Sequence, residues 1–332
     1  MQRLSILVLL IALVATACST GGSNDSLTVY SGRSEDLVQP LIDRFVEETG
    51  IKVTVRYAGS ADLAATILEE GDSSPADLFF AQDPASLGTI ALAGLFSELP
   101  SSITDMVPAR FSDTDNRWVG TSGRARVVVY DGSKVDPSDL PRTEDGFTDP
   151  RWAGRTGIAP TNGSFLAFVA AKILSDGQDA TLVWLQGMAA NSSPTYSKNS
   201  PIVAAVNAGE IETGLVNHYY LLRALAQNPD EVGRNHFFTV PTAGSLVMPA
   251  GVGILRSSGN QEAAQKFVEF MLGDIAQTYF AEETFEYPLV PGVPANELLP
   301  PIDTIPTPDI DLSDLATVLD LATDLVAEAG LI

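Results

Sequence analysis

The sequence predicts an α/β protein of two lobes, a clamshell in which each lobe is a mixed sheet flanked by helices and the ligand cleft lies between them. Three observations carry this reading. Strand-like and helix-like segments alternate from Leu27 onward, the pattern of a parallel sheet with crossover helices. Small polar loops follow the strands and open the helices in two separate regions, which predicts two facing rims. A long apolar run, Leu246 to Ile254, can carry the chain back to the first region after it has built the second. Two rims joined by crossing strands suit hinge closure around a ligand.

The elements follow in order. Residues 1–17 read as a signal peptide: Arg3, an apolar run from Leu4 to Val14, then Ala15-Thr16-Ala17 as a small-residue cleavage site. The run is too short to span a bilayer. Cys18, the sole cysteine, cannot form an internal disulfide. Its position resembles that of the lipid-modified cysteine of bacterial lipoproteins, which implies a secreted protein anchored to the outer face of the cytoplasmic membrane, or otherwise periplasmic, touching membrane through that anchor only. Residues 18–26, rich in Ser and Gly, form a flexible linker.

Leu27 to Tyr30 predicts a first strand, and Ser31-Gly32-Arg33-Ser34 a turn. A helix follows with Leu37, Leu41, Ile42 and Phe45 on one face, ended by Gly50. Pro40 predicts that its regular part starts late. Ile51 to Tyr57 alternates as a second strand, and Ser60 is a candidate cap for the next helix. Leu78-Phe79-Phe80 is a third strand, and Asp83-Pro84 predicts an N-cap with proline at the first helical position. The second set holds a strand at Arg126 to Tyr130, another at Gly157 to Pro160, and the loop Asn162-Gly163-Ser164 before an apolar helix. A Ser200-Pro201 helix start and a strand from Glu212 to Val216 come next. Pro288 to Pro308 holds seven prolines and predicts a wrapped surface segment. Ser313 is expected to cap a last helix with an apolar stripe from Leu315 to Val326. The expected lobes are 27–125 with 249–290, and 126–248 with 291–332.

Composition narrows the function. With 42 acidic and 19 basic residues the net charge is −23, which disfavours nucleic acid and anionic membrane as partners. There is no Gly-x-Ser-x-Gly elbow, Walker loop or His-Glu-x-x-His. With two histidines and one cysteine, thiol or histidine catalysis has little material. Carboxylate catalysis, as in a secreted hydrolase, stays open; a binding protein rather than an enzyme is the better reading.

The chemistry gathers at Asn217-His218-Tyr219-Tyr220, beyond the strand Glu212 to Val216. If the backbone turns there, two ionisable phenols face one point and suit a hard, highly charged cation. Packing with satisfied hydroxyls is the alternative. The loops at Asn162-Gly163-Ser164 and Ser197 to Ser200 suit an anion at helix N-termini.

These residues, with Leu27-Thr28-Val29-Tyr30, Pro75 to Phe80, Ser122 to Tyr130, Lys198-Asn199-Ser200 and Glu286-Tyr287-Pro288-Leu289, resemble the bacterial ferric-ion-binding proteins, solute-binding components of iron ABC importers. The resemblance covers Leu27 to Ile332. It implies a periplasmic-binding-protein fold, a monomer, and a permease and ATPase complex as partner. It implies that Tyr219 and Tyr220 ligate Fe³⁺ with a synergistic anion such as carbonate or phosphate. Asn162, Gly163, Ser164, Asn199 and Asn217 match anion contacts, and Arg124 and Arg126 match a region where some members place an anion-binding arginine. Where some members have a histidine in the first loop this chain has Ser34, and where some have a glutamate it has Gln82, with Asp83 next. Gln82 and Asp83 are further candidate metal ligands; the capping of a helix is the competing role for Asp83. The same clamshell holding another metal, an anion or a small organic solute is the alternative function.

Overall fold

The computed structural model describes residues 26–332. The signal peptide, the Cys18 lipidation and the linker up to residue 25 lie outside the described residues; Ser26 already belongs to the first strand. Among the described residues no helix is long and apolar enough to cross a membrane.

The chain is a two-lobed α/β clamshell. It runs β1 (Ser26–Ser31), α1 (Glu35–Thr49), β2 (Lys52–Tyr57), α2 (Ser60–Glu70), β3 (Leu78–Ala81), α3 (Pro84–Leu92), a short α4 (Ser101–Thr104) and β4 (Val119–Asp131). Then come β5 (Thr156–Gly157), α5 (Gly163–Asp176), α6 (Gln178–Ala190), α7 (Asn199–Asn207), β6 (Thr213–Asn217), α8 (Tyr219–Gln227) and β7 (Gly233–His236). The return uses β8 (Val247–Ile254), α9 (Gln261–Met271), α10 (Asp274–Glu282), β9 (Tyr287–Pro288) and α11 (Leu319–Glu328).

The strand order is β2-β1-β3-β8-β4-β6-β5, with β7 and β9 also on β4. β1 pairs in parallel with β2 and β3, as consecutive strand-helix units require. The apolar run at Val247–Ile254 returns as β8 and lies antiparallel between β3 and β4. β4 is the shared strand. Its residues Val119 to Ala125 pair with β8, and Arg126 to Tyr130 pair with β6.

Alternation along β4 sorts the side chains. Val127 and Val129 join Val216, Ile202 and Val206 in a small core under α7. Val128 joins the main core with Leu215 and Phe168. Arg124 and Arg126 share the face of Val128 because successive side chains point to opposite faces.

Several local expectations shift. α1 begins at Glu35 although Pro40 lies inside it; Pro40 is exposed, so its ring displaces no core contact. Gly59, not Ser60, precedes α2, because the Ser60 hydroxyl accepts from the Gln82 N–H at 3.0 Å and is spent on joining the loops after β2 and β3. β5 is only two residues long. α7 starts at Asn199, one residue before the Ser200-Pro201 signal. Asp311, whose carboxylate accepts from the Ser313 N–H, caps the last helical segment. That segment is a 3₁₀ stretch over Leu312–Val318 before α11. It packs against α3 as well as α5.

α5 is pinned by its Lys172. This ammonium is 2 % exposed and lies 3.2 Å from Glu144, 2.6 Å from Asp145 and 2.6 Å from Asp176. Glu144 is fully buried and also accepts from the Thr242 hydroxyl. Removing one partner strands a buried charge. Lys172→Met should lower unfolding stability in urea by about 3–5 kcal/mol, and adding Glu144→Gln to that variant should restore part of the loss.

Candidate metal centre

β6 ends at Asn217, and the chain turns through His218 (φ −56°, ψ −39°) straight into α8. The tyrosine pair therefore opens a helix rather than ending a strand. The turn is fixed by the imidazole. Nδ1 of His218 accepts from the Ala125 N–H at 3.0 Å, and Nε2–H donates to the Phe285 carbonyl at 2.7 Å. An amide N–H can only donate and a carbonyl can only accept, so the ring is the neutral Nε2–H tautomer. The His218 N–H donates to Ala125, and the Asn235 amide donates to the His218 carbonyl. His218 is fully buried. Burial lowers its pKa to about 4.

The Tyr219 and Tyr220 rings stack at 4.1 Å between centroids, with 28° between planes. Tyr219 is buried, whereas Tyr220 is partly exposed and lines a cleft cavity of about 470 Å³. Among the described residues neither phenol makes a hydrogen bond. Tyr219 packs in the main core and Tyr220 packs against it. Burial holds the Tyr219 phenol well above its ordinary range, with Tyr220 adding to the effect and Arg33 and Arg124 opposing it.

Arg124 and Arg126 lie behind the pair on the same face of β4, both buried. Arg124 donates from Nη2 to the Pro249 carbonyl at 3.4 Å. Arg126 donates from Nη1 to Asn217 Oδ1 at 3.2 Å, across the β4–β6 register, and stacks over Phe168. Among the described residues Nε and Nη1 of Arg124, Nη2 of Arg126 and Nδ2 of Asn217 have no partner. Buried unsatisfied donors cost about 1–3 kcal/mol each, more when charged. A group of them on neighbouring side chains is a candidate place for an anion. Burial, with Arg124 adjacent, lowers the Arg126 pKa to about 9, so it keeps its charge at neutral pH.

The second candidate anion element is the start of α5. Asn162 caps it, Oδ1 accepting from the Ser164 N–H at 3.2 Å and from the Ser164 hydroxyl at 2.6 Å. Asn199 Nδ2 donates to the same oxygen at 3.2 Å, so these three residues form one unit. Gly163 lies where the rims meet: a Cβ there would come within 3.0 Å of Gln82 Nε2 and 3.3 Å of Asp83 Oδ2.

The first rim offers less. Asp83 is buried and spends both oxygens on Ser86, at 2.8 Å on its N–H and 3.1 Å on its hydroxyl, as the cap of α3. Burial raises its pKa. Gln82 and Ser34 line the cleft cavity with Tyr220 and Asn162. Sequence reasoning passed over Arg33. Its guanidinium is buried, donates to both oxygens of Glu286 at 2.9 and 2.8 Å, and lines the same cavity. The signal was present: a cation directly after the first strand in an acidic chain.

His218 makes the pH dependence testable. Its unfolded pKa is near 6.5 and its folded one near 4, so between those values the unfolded state binds a proton that the folded state refuses. Unfolding stability of the metal-free protein should lose about 3 kcal/mol from this group as pH falls from 6.5 to 4. His218→Gln should lack that component in urea titrations across the window. Equal slopes for the two proteins would contradict a neutral, buried imidazole.

Known proteins resemble this chain in sequence and in fold. Residues 73–311 match the family described as bacterial extracellular solute-binding protein. The chain is 35% identical over 335 residues to the major ferric iron-binding protein of Neisseria meningitidis serogroup B, covering 99% of this chain and 100% of that one. It is 30% identical to the Fe(3+)-binding periplasmic protein of Serratia marcescens, covering 96% and 95%. Iron-bound HitA from Pseudomonas aeruginosa superposes with a TM-score of 0.88 at 33% identity, covering 92% of this chain and 99% of that one. A Trichodesmium protein in complex with iron and citrate superposes at 0.79 with 30% identity, covering 92% and 99%. The chain belongs to the bacterial extracellular solute-binding proteins, and within them to the ferric-ion-binding proteins.

Proposed function

We propose that this protein captures Fe³⁺ between its lobes through the phenolates of Tyr219 and Tyr220, together with an oxyanion, and delivers it to the permease and ATPase of an ABC importer. The observation that carries the reading is the stacked, unbonded phenol pair set beside buried arginines with unpartnered donors. Fe³⁺ is a hard cation and favours anionic oxygen. A phenol with a free pKa of about 10 must lose its proton to ligate. The binding step therefore releases protons, and acid releases the metal.

The anion, carbonate or phosphate in its simplest form, takes the donors of Arg124, Arg126 and Asn217 and approaches the Asn162-Gly163-Ser164 turn with Asn199. Two arginines supply bidentate, charge-assisted bonds. The helix start adds backbone dipoles, worth about 0.3–1 kcal/mol when exposed and more when partly buried. Gln82 and Asp83 remain candidate ligands from the first rim; the commitment of Asp83 to Ser86 weighs against it. The lobes divide within β4, after residue 125, and again at 248/249 and 290/291. A lipid on Cys18 holds the monomer at the outer face of the cytoplasmic membrane. The protein has no catalytic role.

The unpartnered arginine donors also suit a second reading, an anion or small anionic solute held without metal. One experiment separates the two. Ferric citrate added to metal-free protein with phosphate or bicarbonate should raise a tyrosinate-to-iron charge-transfer band. The Tyr219→Phe/Tyr220→Phe variant should lose the band and bind iron more than about 100-fold more weakly, the upper range for losing even an outer partner of a metal ligand. Unchanged tight iron binding in the variant sinks the assignment. Uptake of the anion alone, with no colour, supports the metal-free reading.

A further inference from the structure

Of the first-rim side chains at the cleft, Ser34 and Gln82 are neutral, Asp83 caps α3, Asp36 bonds Arg223, and the Glu35 carboxylate is exposed at the edge of the cavity. The buried charge that this rim brings to the cavity is Arg33. Resting on the ferric reading above, we propose that Arg33 is the first rim's hold on the cargo, meeting the iron-phenolate assembly by charge and hydrogen bonding rather than by coordination, and so closing the cleft.

Arg33 is built in, not incidental. Nη2 donates to both Glu286 oxygens, and Nη1 lies 3.4 Å from the Ser122 hydroxyl. Glu286 is fully buried, accepts also from the Thr284 hydroxyl at 2.9 Å, and donates its backbone N–H to Phe280. The next residue, Tyr287, is tied to β4 at Gly123. The preceding one, Phe285, accepts from His218, the residue before the tyrosines. The first-rim cation and the start of α8 are thus fastened through two consecutive residues, 285 and 286. Arg33 and Tyr220 line one cavity, and the Arg33 charge reaches both phenols.

A guanidinium has five donors and no acceptor, and it stays protonated. It cannot ligate iron. It can donate to a metal-bound phenolate or to the accompanying anion, both of which keep lone pairs. A second pair aligns the same two segments. Asp36, in the first turn of α1, accepts from Arg223 Nη2 at 2.7 Å. Arg223 stands one turn along α8 from Tyr219, on the same side. One first-rim segment therefore presents Arg33 to the phenolates and Asp36 to a cation of the same helix. The Asp36–Arg223 pair is mostly exposed and worth little by itself; it sets direction, and Arg33 supplies the hold.

The test uses the mature protein, loaded with ferric citrate and phosphate, with small-angle scattering before and after loading and iron loss to EDTA followed by the visible band. Arg33→Gln/Glu286→Gln removes both charges while keeping bulk, and its urea midpoint checks the fold. Arg33→Lys keeps the charge without the fork. The double variant should develop the band at the wild-type position, fail to contract on loading, and lose iron at least about tenfold faster, as expected for one charge-assisted bond. Arg33→Lys should recover part of the contraction and of the slow release. Contraction and release equal to wild type in the double variant overturn the proposal, as does disappearance of the band in a folded variant. A wild-type protein that takes up iron with no tyrosinate band overturns the ferric reading itself, and this inference with it.

Discussion

The site depends on one buried imidazole. His218 joins three distant segments: β4 through Ala125, the turn before β9 through Phe285, and β7 through Asn235, which bonds its carbonyl. The two ring bonds, to Ala125 and Phe285, require the neutral ring in one tautomer. With those bonds made, the backbone leaves β6 and enters α8 at Tyr219 with no loop between. Two consecutive phenols, which would point apart on a strand, are delivered as a stacked pair.

The second constraint is charge. Arg33, Arg124 and Arg126 are all buried within reach of the tyrosines, but among the described residues only Arg33 has a carboxylate at salt-bridge distance. Burying a cation without a partner is expensive, and the pairing of Arg33 with Glu286 offsets it on one side only. On the other side the remaining donors fit an oxyanion, and the phenolates that form on metal binding add negative charge nearby. In the proposed function, metal, anion and phenolates supply the charges that balance these arginines. The protein also contains a competing cluster, Glu144, Asp145 and Asp176, but the Lys172 ammonium already occupies its centre.

Much of this was legible in the sequence because periodicity and caps report local physics. The parallel β1–β3 units, the Asp83 cap, the Gly50 stop and the return strand at Val247 all follow from such signals. The tyrosines stood out at the end of a predicted strand, whereas Arg124 and Arg126 were candidates only through the family resemblance; the structure places both on β4. What was hidden depends on contacts far apart in sequence. Arg33 meets Glu286 253 residues later, and no local pattern foretells it. His218 read as a residue beside the site, whereas its bonds to Ala125 and Phe285 make it the part that shapes the turn. Ser60 looked like a cap because its type favours that role, but a partner from another loop, the Gln82 N–H, takes its hydroxyl.

The central claim is that the two phenolates and the arginine donors hold iron and oxyanion together. Diffraction from iron-loaded crystals at the iron absorption edge tests it most directly. The account predicts one strong anomalous peak at bonding distance from Oη of both Tyr219 and Tyr220, with oxyanion density between that peak and the guanidinium groups of Arg124 and Arg126. An iron peak bonded to neither phenol, at the Glu144–Asp145–Asp176 cluster or elsewhere, would contradict it.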